Sequence, residues 1–331
     1  MQLSYINTKR DFEHRFFFDL VYEWEDILSE VLNIPLYHEY RPYLMYRNMR
    51  NKYLRKIPIL QDFLYPHKMS LCFDMDPVEK PRFNSKHIIP WIIDFYLPKE
   101  KLPQFNYAYR EHPVVLISCL DAYNFLNEHK DLCPDIKIEY LPLSLPNQYA
   151  FDKKFLTQKK YDIALVGNQE DKLKSYFDQY VTKHPSVTYV YRKKDNGDFK
   201  YYANGVKNPV GGGIRTDYIQ ILRSSKVTLY ATSMLYGTRE GYKNFNHVTP
   251  RFLEMIAAGC HVLCRYVPNA DTEHFELNRF CPSIESYEQF EMLMDKALRE
   301  PIPTDQYKQY LNKHYTSVRA KQLKDILSKY E

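Results

Sequence analysis

Two charged side chains, Arg251 and Glu254, stand three residues apart at the start of a short apolar helix predicted over residues 249–258. Residues at that spacing share one face of a helix. Thr249 suits the N-cap and Pro250 the first helical position, and the free N–H groups there favour an anion. An arginine beside a phosphate and a carboxylate accepting from ribose hydroxyls would hold a nucleoside diphosphate. An Arg–Glu surface pair on an ordinary amphipathic helix fits the spacing at least as well.

The elements around this helix predict a Rossmann-type unit. An apolar strand at residues 226–231 precedes it, and Gly259 suits a left-handed residue between the helix and a second strand at 260–264. A long loop at residues 232–248 would lie at the carboxyl edge of the sheet, where ligands bind in open α/β sheets. The polar residues of this loop that we expect near phosphates are Arg239, Lys243, Asn246 and His247. His247 is also a catalytic candidate, although a structural role in the loop is open.

Three further segments of the second half bear glycine or arginine where a ligand would approach. Gly167 and Asn168 form a tight turn after a predicted strand at residues 161–167, and Arg192 follows a predicted strand at 186–191. A run of three glycines that ends at Gly213 precedes Arg215 and a predicted helix from about residue 216. A solvated charge run at residues 192–194 and a plain flexible turn at the glycines are equally consistent with these patterns.

The segment from Thr249 to Cys260 resembles the donor-site signature of GT-B glycosyltransferases of the "glycosyl transferases group 1" type. The resemblance extends more weakly over about residues 160–298. It implies that Glu254 binds the ribose of a nucleotide sugar and that Gly167 and Asn168 approach the donor. Many retaining members have a second Glu eight positions before the first, where this chain has Asn246, so the resemblance does not imply a stereochemical outcome.

Composition describes a globular chain of two domains. The 331 residues are 44% hydrophobic and 26% charged, with a net charge of +5 that does not argue for nucleic acid. Six cysteines without a C-x-x-C pair favour a reducing, cytoplasmic compartment. All nine glycines fall at or after Gly167, and thirteen of twenty prolines fall before Asp152, so a glycine-rich phosphate loop belongs to the second half.

The first half predicts an amphipathic helix at residues 12–32 and an irregular parallel sheet. Apolar runs at residues 70–73, 87–93, 114–118 and 136–141 have strand length, and several end at an aspartate. Asp94 is our candidate general base, because Trp91 and Tyr96 beside it could form a wall for a sugar. The aspartates at such strand ends are also ordinary helix caps. Asp74-Met75-Asp76 has the form of a metal-binding motif but lies in the wrong half, so we expect no metal.

A basic stretch interleaved with tyrosines follows the first helix. No acidic residue occurs between Arg41 and Leu60. Such a segment suits an anionic membrane surface, and a solvated helix is the alternative. Its candidate membrane contacts are Arg47, Arg50, Lys52, Arg55 and Lys56.

Together with the resemblance, these features predict an α/β fold with two Rossmann-like domains facing across a cleft. The resemblance implies an acceptor-side domain, which we place at residues 1–148, a donor domain at 149–304 and a C-terminal helix at 305–331 that crosses back to the first domain. The resemblance implies a metal-independent transferase of a UDP-, GDP- or CMP-linked sugar to a glycan or lipid-linked acceptor. It would act in bacterial cell-surface polysaccharide synthesis, such as that of lipopolysaccharide or capsule. The alternatives are a sugar-nucleotide epimerase of the same fold and a carbohydrate-binding protein with a decayed donor site.

Overall fold

The computed structural model describes residues 1–331 except 12, 15–17, 39–67, 83, 196, 234, 236–240 and 331. The chain forms two compact units. Unit 1 comprises the described residues of Met1–Pro146, Thr238–Phe245 and Thr316–Glu331, and unit 2 those of Asn147–Gly237 and Asn246–Tyr315. The sequence placed residues 241–245 in the donor domain, whereas they cluster with unit 1.

Unit 1 contains a parallel sheet in the order β2-β1-β3-β4-β5-β6. Its strands are β1 (Tyr5–Thr8), β2 (Leu36–His38), β3 (Ser70–Asp74), β4 (Ile88–Ile92), β5 (Val115–Ile117) and β6 (Ile138–Tyr140). The helices are α1 (Phe18–Leu32), α2 (Leu102–Tyr109) and α3 (Leu120–Glu128), with 3-10 turns at Ser85–His87, Lys99–Lys101 and Lys130–Leu132. The four apolar runs of the first half therefore form strands as predicted.

Both faces of this sheet are covered, which explains why its central strands β3, β4 and β5 are buried at nearly every position rather than at alternate ones. One face packs Ile89, Trp91 and Leu116 with Trp24 of α1. The other packs residues such as Ile92 and Ile117 against α2 and α3. The indole of Trp91 is fully buried and stacks on Phe73 with ring centroids 5.0 Å apart. Trp91 is therefore a core residue, and the prediction that it forms a wall for a sugar is wrong.

Unit 2 contains a sheet in the order β11-β10-β7-β8-β9, parallel except for the β8–β9 hairpin. Its strands are β7 (Tyr161–Leu165), β8 (Tyr189–Asp195), β9 (Asp198–Ala203), β10 (Ser225–Ala231) and β11 (His261–Arg265). The helices are α4 (Asp171–Lys183), α5 (Arg215–Arg223), α6 (Arg251–Ala257), α7 (Ala270–His274), α8 (Leu277–Phe280), α9 (Tyr287–Arg299) and α10 (Thr304–Leu311), with 3-10 turns at Asn147–Tyr149 and Lys153–Gln158. The predicted fold class, α/β with two Rossmann-like sheets, is confirmed.

The C-terminal segment is two helices rather than the single helix expected over residues 305–331. α10 belongs to unit 2, whereas α11 (Thr316–Ser328) belongs to unit 1. The chain turns between them, where His314 N–H donates to the Leu311 carbonyl at 2.8 Å. Leu323, Ile326 and Leu327 of α11 complete the apolar cluster that contains Trp24 and Trp91. The last helix is thus a core element of unit 1.

Candidate functional site

The turn after β7 is shaped for close approach of another group. Gly167 has a φ of +71°, a left-handed conformation that glycine adopts without strain. A Cβ atom at this position would collide with the guanidinium of Arg251. The Arg251 Nη1 donates to the carbonyl oxygen of Asn168 at 3.2 Å. The turn and the first residue of α6 are therefore packed together at the carboxyl edge of the sheet.

A second arginine converges on the same asparagine. Arg192 Nη2 donates to the Asn168 Oδ1 at 2.5 Å, and its guanidinium lies 4.1 Å from the centroid of the Phe199 ring. Burial, together with the positive charge of Arg251, lowers the pKa of Arg192 below its ordinary value. In the part of the chain that the structure describes, neither arginine forms an ion pair with a carboxylate. Two positive charges thus stand beside the Gly167–Asn168 turn.

The position of Arg192 differs from the one expected. The sequence placed it after a strand that ended at residue 191, but β8 continues to Asp195 and pairs with β9 as an antiparallel hairpin. Arg192 is therefore a hairpin residue opposite Tyr201. Its ring contact with Phe199 comes from the partner strand, which we did not predict.

Glu254 lies below the turn, on the buried face of α6. Its side chain is only 3% exposed, and its Oε1 lies 2.6 Å from the Nη2 of Arg215, whose side chain is 8% exposed. The hydroxyl of Tyr218 donates to the Oε2 at 2.7 Å. Burial and the negative charge of Glu254 raise the pKa of Tyr218 well above its ordinary value. The carboxylate is therefore held by two residues of α5 and does not form the surface Arg251–Glu254 pair considered from the sequence.

The start of α6 is set by a tyrosine rather than by a capping threonine. The helix begins at Arg251 after Pro250, one residue later than expected, and no side chain caps it. The Thr249 N–H donates to the Tyr230 hydroxyl at 2.9 Å, and the Arg251 guanidinium lies 5.8 Å from the Tyr230 ring centroid. Gly259, with a φ of +69°, ends the helix as predicted.

The glycine loop packs against the β8–β9 hairpin. A Cβ atom on Gly213 would collide with the backbone carbonyl oxygen of Phe199. The Gly212 N–H donates to the Asp217 Oδ2 at 2.6 Å. The loop therefore joins the Phe199 side of the hairpin to α5, which bears Arg215.

Two candidates in the loop before α6 are fixed by backbone contacts. Asn246 has a φ of +49°, and its carbonyl accepts from Asn269 Nδ2 at 3.5 Å. His247 is buried, and its carbonyl oxygen accepts a hydrogen bond from the Ser233 N–H at 3.1 Å. The Val248 N–H then donates to the Asp271 carboxylate at 2.6 Å. Their roles toward a donor stay predictions.

The remaining candidates lie in unit 1 or outside the described residues. Asp94 is half-buried after β4, and its N–H donates to the Met75 carbonyl at 2.7 Å. Lys243 is part of unit 1, where its ammonium lies 4.6 Å from the Phe125 ring centroid, so the structure does not place it with the unit 2 residues. Asp74 is buried and paired with Arg82, which is a structural role. Arg239 and the basic residues Arg47, Arg50, Lys52, Arg55 and Lys56 lie outside the described residues.

The sequence reasoning missed Tyr218 and Tyr230. Tyr218 follows Arg215 by three residues on one helix, a spacing that places both on the face toward Glu254. Tyr230 comes one residue before the end of β10, at the same sheet edge as the Gly167 turn. Both positions could have been predicted from these spacings. Because the chain contains 31 tyrosines, however, residue type alone did not distinguish these two from the others.

Two features are absent from the described ranges, a metal-binding cluster and a membrane-spanning helix. No group of three or more His, Cys, Asp or Glu residues there is arranged to hold a metal ion. Likewise, no helix among the described residues has the length and apolar character needed to span a bilayer.

A Rossmann-like unit with arginines at the carboxyl edge of its sheet is an architecture typical of nucleotide-binding proteins. The sequence profile of the glycosyl transferase-like family matches residues 158–325. That match covers just over half of the 331 residues, and the chain belongs to the glycosyl transferase-like family. The resemblance noted at residues 249–260 is thereby confirmed. No curated protein sequence matches the chain.

Several solved structures are similar to this chain at low sequence identity. The pneumococcal O-GlcNAc transferase GtfA in complex with UDP and GlcNAc has 11% identity and a TM-score of 0.49, covering 82% of this chain and 59% of that one. The GtfA/B complex has 12% identity, a TM-score of 0.49 and coverage of 82% and 60%. The chain thus spans about 60% of the length of these two proteins. The S. aureus MnaA–UDP structure has 9% identity, a TM-score of 0.46 and coverage of 100% and 97%.

Proposed function

We propose that this protein transfers a sugar from a nucleotide-sugar donor to a glycan or glycolipid acceptor, with unit 2 binding the donor. The observation that carries the proposal is the convergence of Arg192 and Arg251 on Asn168 beside the Gly167 turn. Two guanidinium groups without a carboxylate partner in the described chain attract an anion, and arginine matches phosphate oxygens in bidentate geometry. A nucleoside diphosphate carries the charge that this arrangement lacks.

In this proposal Glu254 binds the nucleoside end of the donor. The family resemblance assigns the ribose to this residue. Each carboxylate oxygen accepts about two hydrogen bonds, so Glu254 retains acceptor capacity beside the bonds from Arg215 and Tyr218. Those two residues of α5 hold the carboxylate in one orientation. Preorganisation of this kind reduces the entropy lost when the donor binds.

The chemistry proposed is displacement of the diphosphate without a metal ion. Arg192 and Arg251 would stabilise the negative charge that develops on the leaving group, which is the largest electrostatic demand of the reaction. Asp94 and His247 remain our candidates for the acid–base step, with Asp94 as the general base that deprotonates an acceptor hydroxyl.

We further propose a role in cell-surface polysaccharide synthesis at the cytoplasmic face of a membrane, with the basic segment at residues 41–56 as the membrane contact.

The test measures donor binding and turnover together. The purified protein is screened by thermal shift against UDP, GDP and CMP, and release of the free nucleotide is then followed with the matching sugar conjugates. A ligand that binds only the native state raises the melting temperature. Arg251→Ala should lower the affinity about 10- to 100-fold, because a charge-assisted hydrogen bond contributes roughly 1.5–3 kcal/mol. Arg299→Ala, an exposed arginine on α9, is the matched control.

The same measurement separates the alternatives. Conversion of one sugar nucleotide into another without an acceptor would establish the epimerase. Saccharide binding without any nucleotide-dependent shift would establish the carbohydrate-binding protein with a decayed donor site. Equal nucleotide affinity of Arg251→Ala and Arg299→Ala would remove the arginine pair from the donor site.

A further inference from the structure

Unit 1 contains a cavity of about 270 Å³ beyond the carboxyl ends of β3 and β4. Its floor is Phe105 of α2, which is fully buried. Two tyrosine rings, of Tyr96 and Tyr242, line it with their centroids 6.2 Å apart and their planes inclined at 53°. Polar side chains complete the lining, among them Asp76, Glu79, Lys101 and Gln104.

The Tyr242 wall is held in place by its neighbours in the chain. The Lys243 N–H donates to the Tyr96 carbonyl at 2.8 Å. Phe245 is 5% exposed, and its ring lies 6.0 Å from that of Phe95 and 5.4 Å from that of Phe125. Gly241, with a φ of +76°, allows the turn that precedes the wall. Tyr242 itself is 41% exposed, so its ring is accessible to a ligand. Its buried neighbours hold the backbone that positions it.

The lining has the chemistry of a carbohydrate site. Aromatic faces pack against the C–H surface of a sugar ring, and carboxylate and amide oxygens accept hydrogen bonds from its hydroxyls. Asp76 and Glu79 outnumber the single cation Lys101, so the cavity disfavours a phosphate or another small anion. Its volume lies just below the usual range for ligand pockets, about 300–1,000 Å³, which suits a single sugar ring.

We propose that this cavity binds the terminal monosaccharide of the acceptor glycan, with Tyr96 and Tyr242 as its stacking walls. The proposal rests on the proposed transferase function and adds the acceptor subsite and its substrate class. Tyr242 lies in the loop that leads into α6, seven residues before Thr249. The same loop therefore forms a wall of the saccharide site and leads to the helix that bears Arg251 and Glu254.

The experiment measures saccharide binding directly. Saturation-transfer difference NMR is recorded with the methyl glycosides of glucose, galactose, mannose, rhamnose, N-acetylglucosamine and N-acetylgalactosamine. The wild type should bind at least one, and Tyr242→Ala should weaken that binding about tenfold, as expected for the loss of a stacking ring. Glu79→Ala, at an exposed position of the lining, should weaken it as well. Tyr107→Ala is the matched control, because Tyr107 is 51% exposed on α2 and lies outside the cavity lining.

The outcomes distinguish this proposal from the donor-site proposal. Nucleotide thermal shift is measured on the same variants and should be unchanged in Tyr242→Ala. If no glycoside binds, or if Tyr242→Ala and Tyr107→Ala bind equally, the cavity is not the saccharide site, even where nucleotide binding is intact. If glycosides bind as expected but no nucleotide does, the saccharide site stands and the donor proposal fails.

Discussion

At the scale of single residues, Glu254 is bound on both carboxylate oxygens by buried partners, Arg215 and Tyr218. Removing the carboxylate takes away the negative charge that lies 2.6 Å from the buried Arg215 guanidinium. We expect Glu254→Ala to destabilise unit 2 by about 3–5 kcal/mol, the usual result of breaking a buried ion pair from one side. Urea unfolding followed by far-UV circular dichroism measures this loss. The nucleotide affinities of Glu254→Ala and the wild type are then compared without urea, at a temperature well below both melting points.

A double substitution separates stability from binding at this site. Replacing both charges, as in Arg215→Met with Glu254→Leu, removes the buried pair rather than half of it, and such replacements are often neutral or stabilising. We expect the double variant to recover the stability that Glu254→Ala loses, yet to bind nucleotide weakly. Full nucleotide affinity in the double variant would show that Glu254 serves the fold alone.

Glu25 of α1 gives unit 1 a pH-dependent stability. Burial raises the pKa of this carboxyl to about 7 from an ordinary value of 4.5, although Arg10 Nη2 lies 3.4 Å from it. A raised pKa in an acid means that the folded state holds its proton more tightly, so stability falls as pH rises from about 4.5 to about 7. Arg10 keeps Asp26 as a partner at 2.7 Å. The free energy of unfolding of Glu25→Gln, relative to that of the wild type, should therefore increase by about 3 kcal/mol between pH 4.5 and pH 8.

Fluorescence reports this change without interference from unit 2. Both tryptophans of the chain, Trp24 and Trp91, are buried in unit 1. Denaturation followed by their emission at pH 4.5 and pH 8 gives the two free energies of unfolding. Glu30→Gln, an exposed position on the same helix, is the control. A difference between Glu25→Gln and the wild type that does not vary with pH would contradict the prediction.

At the scale of elements, the glycine loop sets the position of the hairpin that bears Arg192. A Cβ atom on Gly213 meets the Phe199 backbone oxygen, which has no freedom to rotate away. On Gly212 it lies 3.0 Å from the Asp217 carboxylate oxygen, which is the end of a flexible side chain. We expect Gly213→Ala to cost about 1–3 kcal/mol through overpacking and to weaken nucleotide binding, because Arg192 stacks on Phe199.

Gly212→Ala is the matched control and should cost less than Gly213→Ala. Both are measured by urea denaturation and by nucleotide thermal shift. If the two alanine variants behave alike, steric contact with the hairpin is not what selects glycine at residue 213.

The elements that sequence patterns predicted are those with one strong local signal. The run at residues 114–117 is continuously apolar and contains β5, and Gly259 ends α6 as its position indicated. β1 was missed because a four-residue strand with alternating burial gives little signal. The break between α10 and α11 was missed because the segment contains neither glycine nor proline after Pro303. The turn there follows from tertiary packing, where His314 is buried against Tyr310 and Phe275.

The candidate site was predictable to the extent that a signature identified it. Arg251, Glu254, Gly167 and Asn168 were named from the sequence, and the structure brings Arg251 to the Gly167–Asn168 turn. The partner of Glu254 was not predictable, because a carboxylate three residues from an arginine on one helix suggests a local pair. Only the packing of α5 on α6 shows that Arg215 takes that place.

At the scale of the whole molecule, α11 is distant in sequence from the rest of unit 1 and yet completes its core. Leu323, Ile326 and Leu327 pack in the cluster that contains both tryptophans. Hydrogen bonds fix the helix as well, since the Thr316 N–H donates to the Leu145 carbonyl at 3.0 Å and the Arg319 Nε to the Pro142 carbonyl at 3.0 Å. Each buried aliphatic side chain contributes roughly 1.5–3 kcal/mol, so the three together rival the 5–15 kcal/mol stability of a typical domain.

Removal of residues 316–331 should therefore unfold unit 1 and leave unit 2 folded. We expect tryptophan emission of the truncated protein to shift to that of the denatured chain, while far-UV circular dichroism retains a cooperative transition and the nucleotide thermal shift persists. Leu323→Ala tests the same core in the full chain and should cost about 2–5 kcal/mol, against little change for Lys321→Ala at an exposed position of α11. Native tryptophan emission in the truncated protein would show that unit 1 folds without α11. Loss of nucleotide binding together with the emission change would show that the two units fold as one cooperative system.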